Sequence, residues 1–195
     1  MPGLAAELVQ VPVDVLFTMS LRSSRRAVPK ASRVMFLQDP EAAPNALKLT
    51  QEVAPRLGVR LQVANVGTPE QLAPELTMIA KEHPDALFVY PDVVLSSHPR
   101  PQQLADFAVK AHLPTMHAFR FFVDAGGLMS YGATQSEIYA TAAEQVAKIL
   151  DGARPSELPL RQATRFELVI NLKTAKALGL TIPQTLLLRA DQVIQ

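Results

Sequence analysis

From Arg33 onward the chain alternates short β-branched or aromatic runs with stretches whose apolar residues recur at helical spacing, and this alternation most restricts its fold. Residues 33–37 (RVMFL), 60–66, 86–90 (ALFVY), 114–118 and 128–131 have the length and composition of buried strands. Between the first two, residues 46–57 place Leu49, Val53 and Leu57 on one helical face, and Gly58 stops the pattern. Thr68, Pro69 and Gln71 then spell a helix start: an N-cap, a proline in the first turn and a capping box. Leu72, Leu76 and Ile79 form the buried stripe of that helix, and Leu104, Phe107, Ala108 and Ala111 form that of a third. Pro55 and Pro74 lie inside these patterns, and each removes a backbone donor, which predicts shortened or kinked helices.

Strands that alternate with helices across short connections predict βαβ units and a mostly parallel sheet covered on both faces. Right-handed crossovers bring the C-terminal ends of such strands to one edge, where open α/β sheets bind ligands. The segments expected there are 38–40, 91–98, 119–121 and 131–134.

Beyond Gly132 the pattern changes. Thr134 and Glu137 predict a capping box for a helix reaching Leu150, with Gly152 just past its end. Ile138, Ala142 and Ile149 mark one apolar stripe of that helix, and Tyr139, Ala143, Val146 and Leu150 mark its neighbour. A surface so broad has to pack against something. Residues 151–159 form a polar linker, 166–170 a strand, Asn171 the cap of a short helix closed by Gly179, and 184–195 a short final element. Residues 18–32 are polar and locally basic, with Arg22, Arg25, Arg26 and Lys30.

Bulk properties narrow the function classes. A chain of 195 residues suffices for one domain or two small lobes with a sizeable core. The net charge of +1 offers no basic surplus for neutralising phosphates, and the four charges of 18–32 stand without aromatic neighbours, so nucleic acid is not the expected partner. Without cysteine there is no disulfide framework and no thiolate chemistry. No apolar run reaches the roughly 20 residues that span a bilayer. The first residues lack the basic start and long apolar stretch of a secretory leader, so the chain as written is expected to stay in the cytoplasm.

Catalytic and cofactor motifs were sought and not found. No G-x-G-x-x-G or G-x-x-x-x-G-K-[ST] follows a strand, so no phosphate cradle is expected. Ser96, Ser97 and His98 stand close to Asp92, but no G-x-S-x-G elbow strains a serine into an attacking position. The histidines at 83, 98, 112 and 117 show no metal-binding pairing; His83 and His112 fall near helix ends, and His117 on a strand beside the functional edge is a pocket or core residue. No catalytic residue, metal or cofactor is therefore expected.

Binding chemistry is better represented. Asp92, directly after a strand, is either a helix cap or an acceptor for a ligand ammonium. Arg120, among Phe119, Phe121 and Phe122, either points outward from an aromatic step or grips a ligand carboxylate. Ser130 supplies a hydroxyl, Tyr131 an aromatic wall and Gly132 room for a sharp turn.

Four stretches, RVMFLQDPEAAPN, DALFVYPD, HAFRFFVDAGGLMSYG and FELVINLKTAKALGLTIP, together resemble the substrate-binding protein family of ABC transporters, of the tryptophan/tyrosine type. The resemblance covers residues 33–195 and implies an α/β fold of the periplasmic-binding-protein type I-like class. It implies one near-complete, doubly wound parallel-sheet lobe plus remnants of the other lobe. On that reading residues 1–17 are a first-lobe remnant, 18–32 a linker, 33–132 the ligand-binding lobe, and 133–195 a helix crossing back plus a C-terminal strand and helix segment. The helix of residues 134–150 belongs in the family to the other lobe, and here it is expected to pack on residues 4–17 or to expose an apolar face. By carry-over the ligand contacts are Asp92, Phe119, Arg120, Ser130 and Tyr131, with Asn45 as a further candidate.

The function so implied is that of a non-enzymatic solute-binding component of an importer. It would bind a small molecule such as an amino acid in a cleft between lobes and hand it to an ABC permease, in the periplasm or cell envelope. The chain would be a shortened form. Two other readings stand beside this one: a regulatory ligand-sensing lobe that associates through its open face, and an α/β enzyme acting on a small carboxylate or nucleotide.

Overall fold

The computed structural model describes Val28, residues 31–42 and residues 44–195. The remnant assigned to 1–17 and most of the 18–32 linker lie outside the described residues.

Seven strands form one sheet: β1 (Arg33–Gln38), β2 (Arg60–Asn65), β3 (Ala86–Val89), β4 (Thr115–His117), β5 (Met129–Ala133), β6 (Phe166–Asn171) and β7 (Gln192–Ile194). Their order across the sheet is β2-β1-β3-β4-β5-β6-β7. All neighbours run parallel except β5 and β6, which pair antiparallel from Met129 opposite Ile170 to Ala133 opposite Phe166. Strands β6 and β7 therefore extend the same sheet as β1 to β5.

The helices are α1 (Pro44–Val53), α2 (Leu72–Glu82), α3 (Val93–Ser96), α4 (Arg100–Lys110), α5 (Arg120–Asp124), α6 (Gln135–Leu150), α7 (Leu172–Ala177) and α8 (Gln184–Leu187). Side chains alternate between the two faces of a strand, which splits the core into two layers. On one face Val34, Phe36, Phe88, Met116, Met129 and Ile170 pack with Ala175 of α7 and Leu186 of α8, and with Leu47 and Val53 of α1. On the other, Met35, Leu37, Leu87 and Val89 pack against α2, Leu104 of α4 and Phe122 of α5.

Both proline effects appear, each in its own way. Pro55 cannot donate into an α-helical ladder, so α1 ends at Val53 and the chain tightens into a 3₁₀ turn over Ala54–Leu57, closed by Gly58 at φ 64°. Pro74 is the third residue of α2, where the N–H would have no intrahelical partner, and it costs nothing. Gln71 closes the expected box, its Oε1 accepting from the backbone N–H of Gly67 and Thr68 at 2.8 and 3.2 Å.

Two local readings change, and a third, the helix-end histidines, holds with added detail. Helix α1 buries Ala46 and Thr50, with Leu49 and Val53 only half-buried. His83 and His112 are left-handed helix ends, at φ 48° and 51°. At His112 the Leu113 N–H reaches back to the Ala108 carbonyl at 2.8 Å, a closure usually made by glycine. At the start of α6 the Thr134 side chain makes no cap bond. Glu137 instead accepts from the Thr164 N–H and hydroxyl at 3.0 and 2.7 Å and from the Arg165 N–H at 2.7 Å, tying α6 to the chain entering β6.

No residue of α6 is buried, and Tyr139, Val146 and Leu150 are 67, 54 and 81 % exposed. Among the described residues no helix is long and apolar enough to cross a membrane.

Candidate functional site

Five parallel strands, β1 to β5, end on one edge of the sheet, joined there by the start of antiparallel β6. After β1 the chain turns toward the face carrying α1, and after β3 toward the face carrying α4. The loops diverge at that point, and in open α/β sheets such a crevice is where ligands sit.

Asp92 occupies the crevice. It is 6 % exposed and caps α3, its Oδ1 accepting from the Leu95 N–H at 2.7 Å. Its Oδ2 accepts from the Asp39 N–H at 2.9 Å, which pins the loop after β1 to the loop after β3. Burial raises its carboxyl pKa, outweighing these bonds, and the Asp39 charge pushes the same way. Of the two roles open to Asp92, the cap is thus realised. Beside it Tyr90 is half-buried, and its phenol is held neutral by burial first and the Asp92 charge second.

The next step along the edge is aromatic. Phe119 is the N-cap of α5 and Arg120 its first residue. Arg120 is 41 % exposed and ion-pairs with Asp124 at 3.1 Å, one turn along the same short helix, so its guanidinium points outward. An exposed pair of this kind is weak, and a ligand carboxylate could displace it. Phe119 stacks on Phe121 at 5.8 Å, Phe121 on Phe122 at 4.5 Å, and Phe122 on the His117 ring at 4.6 Å.

Strand β5 carries the last candidates. Ser130 lies opposite His117 in the β4–β5 register, so the two side chains share a face; each is 1 % exposed. Tyr131, one residue on, takes the other face, stacks on Phe166 at 5.9 Å and keeps a neutral phenol through burial and the nearby Asp191 charge. Ser130 and Tyr131 therefore reach the edge from opposite sides of the sheet. Asn45, the second residue of α1, is exposed near the end of β1.

At the opposite end of the sheet, where β5 begins and β6 ends, the two long sequence stretches are bonded to each other. Asn171 caps α7, and its Nδ2 donates to the Val123 carbonyl at 3.4 Å. Thr174 Oγ1 donates to the Gly126 carbonyl at 2.8 Å. The AGGL turn under Phe122 is thereby fixed to the helix that follows β6.

Sequence reading missed one feature of the edge. Gln38 Oε1 and both ring nitrogens of His117, at the last residues of β1 and β4, are buried without a hydrogen-bond partner, as is Ser130 Oγ opposite His117; Gln62 Oε1 on β2 and Gln145 Oε1 on α6 are likewise unpartnered. The signal was a polar residue closing an otherwise apolar run, as in RVMFLQ and PTMHA. Buried polar groups are nearly always paired in folded proteins, so the unpartnered His117 and Ser130, side by side on one face, stand out. Among the described residues no three His, Asp or Glu side chains gather to hold a metal ion.

Comparison with known proteins gives the edge its context. A conserved domain protein from Vibrio cholerae superposes with a TM-score of 0.84 at 25 % identity, over 93 % of this chain and 60 % of its own. A Streptococcus pneumoniae ABC domain in complex with L-Trp superposes with a TM-score of 0.83 at 22 % identity, over 94 % of this chain and 60 % of its own. An open, ligand-free substrate-binding protein with adhesive properties from Clostridium difficile gives 0.68 at 19 % identity, covering 91 and 59 % of the two chains. The chain thus spans about 60 % of the length of these structures. No curated protein matches it. The family described as ABC transporter substrate binding protein matches residues 19–194. With that match running through nearly the whole sequence, the chain belongs to the ABC transporter substrate-binding protein family.

Proposed function

We propose that the chain is a solute-binding component of an ABC-type importer, holding a small molecule at the C-terminal edge of its sheet and presenting it to a permease. It is a binding protein rather than an enzyme, and it works on the outer side of the cytoplasmic membrane. The contacts are Asp92 for a ligand ammonium, Arg120 for a carboxylate, Phe119 and Tyr131 for an apolar body, and Ser130 and Asn45 for hydrogen bonds. This combination suits an amino acid, whose two charges and side chain it would meet separately.

One observation supports the reading: the buried Asp92 and the Phe119–Phe121 aromatic step follow adjacent strands at the edge where this sheet type binds ligands. The L-Trp of the Streptococcus pneumoniae structure puts aromatic amino acids first among ligands to try.

Thermal melts with a panel of amino acids and small carboxylates test it. Ligand at about 100 times its Kd stabilises the folded state by about 2.7 kcal/mol, or roughly 5–10 °C in Tm for a chain this size. A cooperative transition that no member of the panel moves would argue against the reading.

A further inference from the structure

We propose that His117 is the positioning residue for the Phe119–Arg120 step, acting through Phe122 rather than by touching ligand; the inference rests on the reading of that step as a ligand contact. Helix α5 has only five residues, so its own backbone bonds do little to orient it. Its anchor is Phe122, 0 % exposed, whose ring lies flat on the imidazole with planes 10° apart. From Phe122 the stack continues to Phe121 and Phe119, so the imidazole is the buried end of a continuous aromatic column whose outer end is the site.

The choice of histidine fits a positioning role. A core imidazole with neither nitrogen bonded is poor value for stability alone, since an unmet buried polar group destabilises. It fits in shape. A Cβ on Gly127 would fall 2.7 Å from His117 Nε2 and 2.8 Å from the Phe122 carbonyl oxygen, so the ring reaches nearly to the backbone. An aliphatic side chain would not present a flat face to Phe122. The Gly127 N–H bonds the same Phe122 carbonyl at 2.9 Å, so ring, glycine and anchor form one contact set.

The test is native-state hydrogen exchange of the full chain. The reporters are the Ala125 and Gly127 amides, which donate to the Phe121 and Phe122 carbonyls and report opening of α5. His117→Ala is expected to speed these amides at least about tenfold beyond any change in the β1 and β3 amides. Gly127→Ala, which crowds the same ring instead of emptying its place, is expected to do likewise. Val34→Ala, on the opposite face at the other end of the sheet, should slow or speed all regions together. If His117→Ala is too unstable to study, His117→Asn and Gly127→Ala carry the comparison.

Exchange of the α5 turn that changes only in step with the strands would overturn the proposal and leave His117 as ordinary core. Titration of each variant with L-tryptophan, or whichever panel member binds the wild type, adds the functional arm. There the expected result is affinity at least about tenfold weaker for His117→Ala and unchanged for Val34→Ala. Affinity unchanged in His117→Ala would also overturn the proposal. A wild type that binds nothing overturns the ligand-contact reading and the positioning role with it, while the exchange comparison, which needs no ligand, separately decides whether His117 orders α5.

Discussion

At the N-terminal end of the sheet, Asp85 accepts from the Ser32 N–H and hydroxyl and from the Arg33 N–H, at 2.8, 3.1 and 2.8 Å, and lies 3.8 Å from the Arg33 guanidinium. Burial alone would raise its pKa, but these partners outweigh it and the net shift is downward. At the C-terminal end Asp92 is pinned by two backbone donors, yet its net shift is upward, and Gln38, His117 and Ser130 nearby keep polar atoms without partners. The Asp85 cluster uses every polar group it gathers to close the fold, although Gln62 Oε1 on that side of the sheet is also unpartnered. The C-terminal end leaves several unmet, which destabilises the fold and is the usual mark of a functional site.

Acid is expected to separate the two ends most strongly. Burial lowers the His117 pKa to about 3, against an ordinary value of 6.5. Below pH 6.5 the unfolded chain binds a proton that the folded chain refuses, so stability falls as pH drops through the window from 6.5 to about 3. The slope from this one site is about 1.4 kcal/mol per pH unit. Urea melts from pH 7 to 5 should show the wild type losing about 2 kcal/mol through this site, the slope steepening below pH 6.5, and His117→Ala should lack that loss. Parallel slopes would mean that the imidazole finds a partner in solution, and the contrast between the two ends would weaken.

The next effect in size compares the two aspartates. Replacing either by alanine should cost roughly 1–3 kcal/mol, because each leaves buried or half-buried N–H groups without an acceptor. Asp85→Ala is expected to lower Tm and leave ligand affinity alone, whereas Asp92→Ala should lower both. Equal affinity in the two variants would reduce Asp92 to a cap.

Ser130→Ala is the smallest and sharpest case. Its hydroxyl is buried without a partner, so its removal is expected to leave stability unchanged or to raise it by up to about 1 kcal/mol. Ligand binding, measured by calorimetry, should weaken in the same variant. A protein destabilised by this substitution would show that the hydroxyl is bonded within the fold, and the edge would lose one of its open groups.

Much of this arrangement was legible in the residues. The strands at 33–38 and 86–89, the Thr68–Gln71 box and the Asn171 cap fall where the pattern put them, as does the helix ending at Leu150. The strand-end segments likewise lie along one edge of the sheet. Other features were invisible. Glu137 sits at capping-box spacing from Thr134 yet binds Thr164 and Arg165, 27 and 28 residues away. Ser130 and Tyr131 looked like a pair and face opposite sides of the sheet. His117 looked like a strand residue beside the edge, and nothing local revealed Phe122 stacked on one side of it and Gly127 against its Nε2.

The sequence alone determined what depends on near neighbours: periodicity that selects strand or helix, prolines and glycines that end a turn, and caps formed within three residues. Those signals also carried the family resemblance. Tertiary structure decided which polar group meets which, because the partners of Asp85, Asp92 and Glu137 come from segments up to 53 residues away and are set by sheet order and register. The antiparallel turn at β6, the pinning of Asp39 to Asp92 and the open groups at the strand ends all arise at that level. A local pattern says that a residue will be buried; only the assembled sheet says whether anything awaits it there.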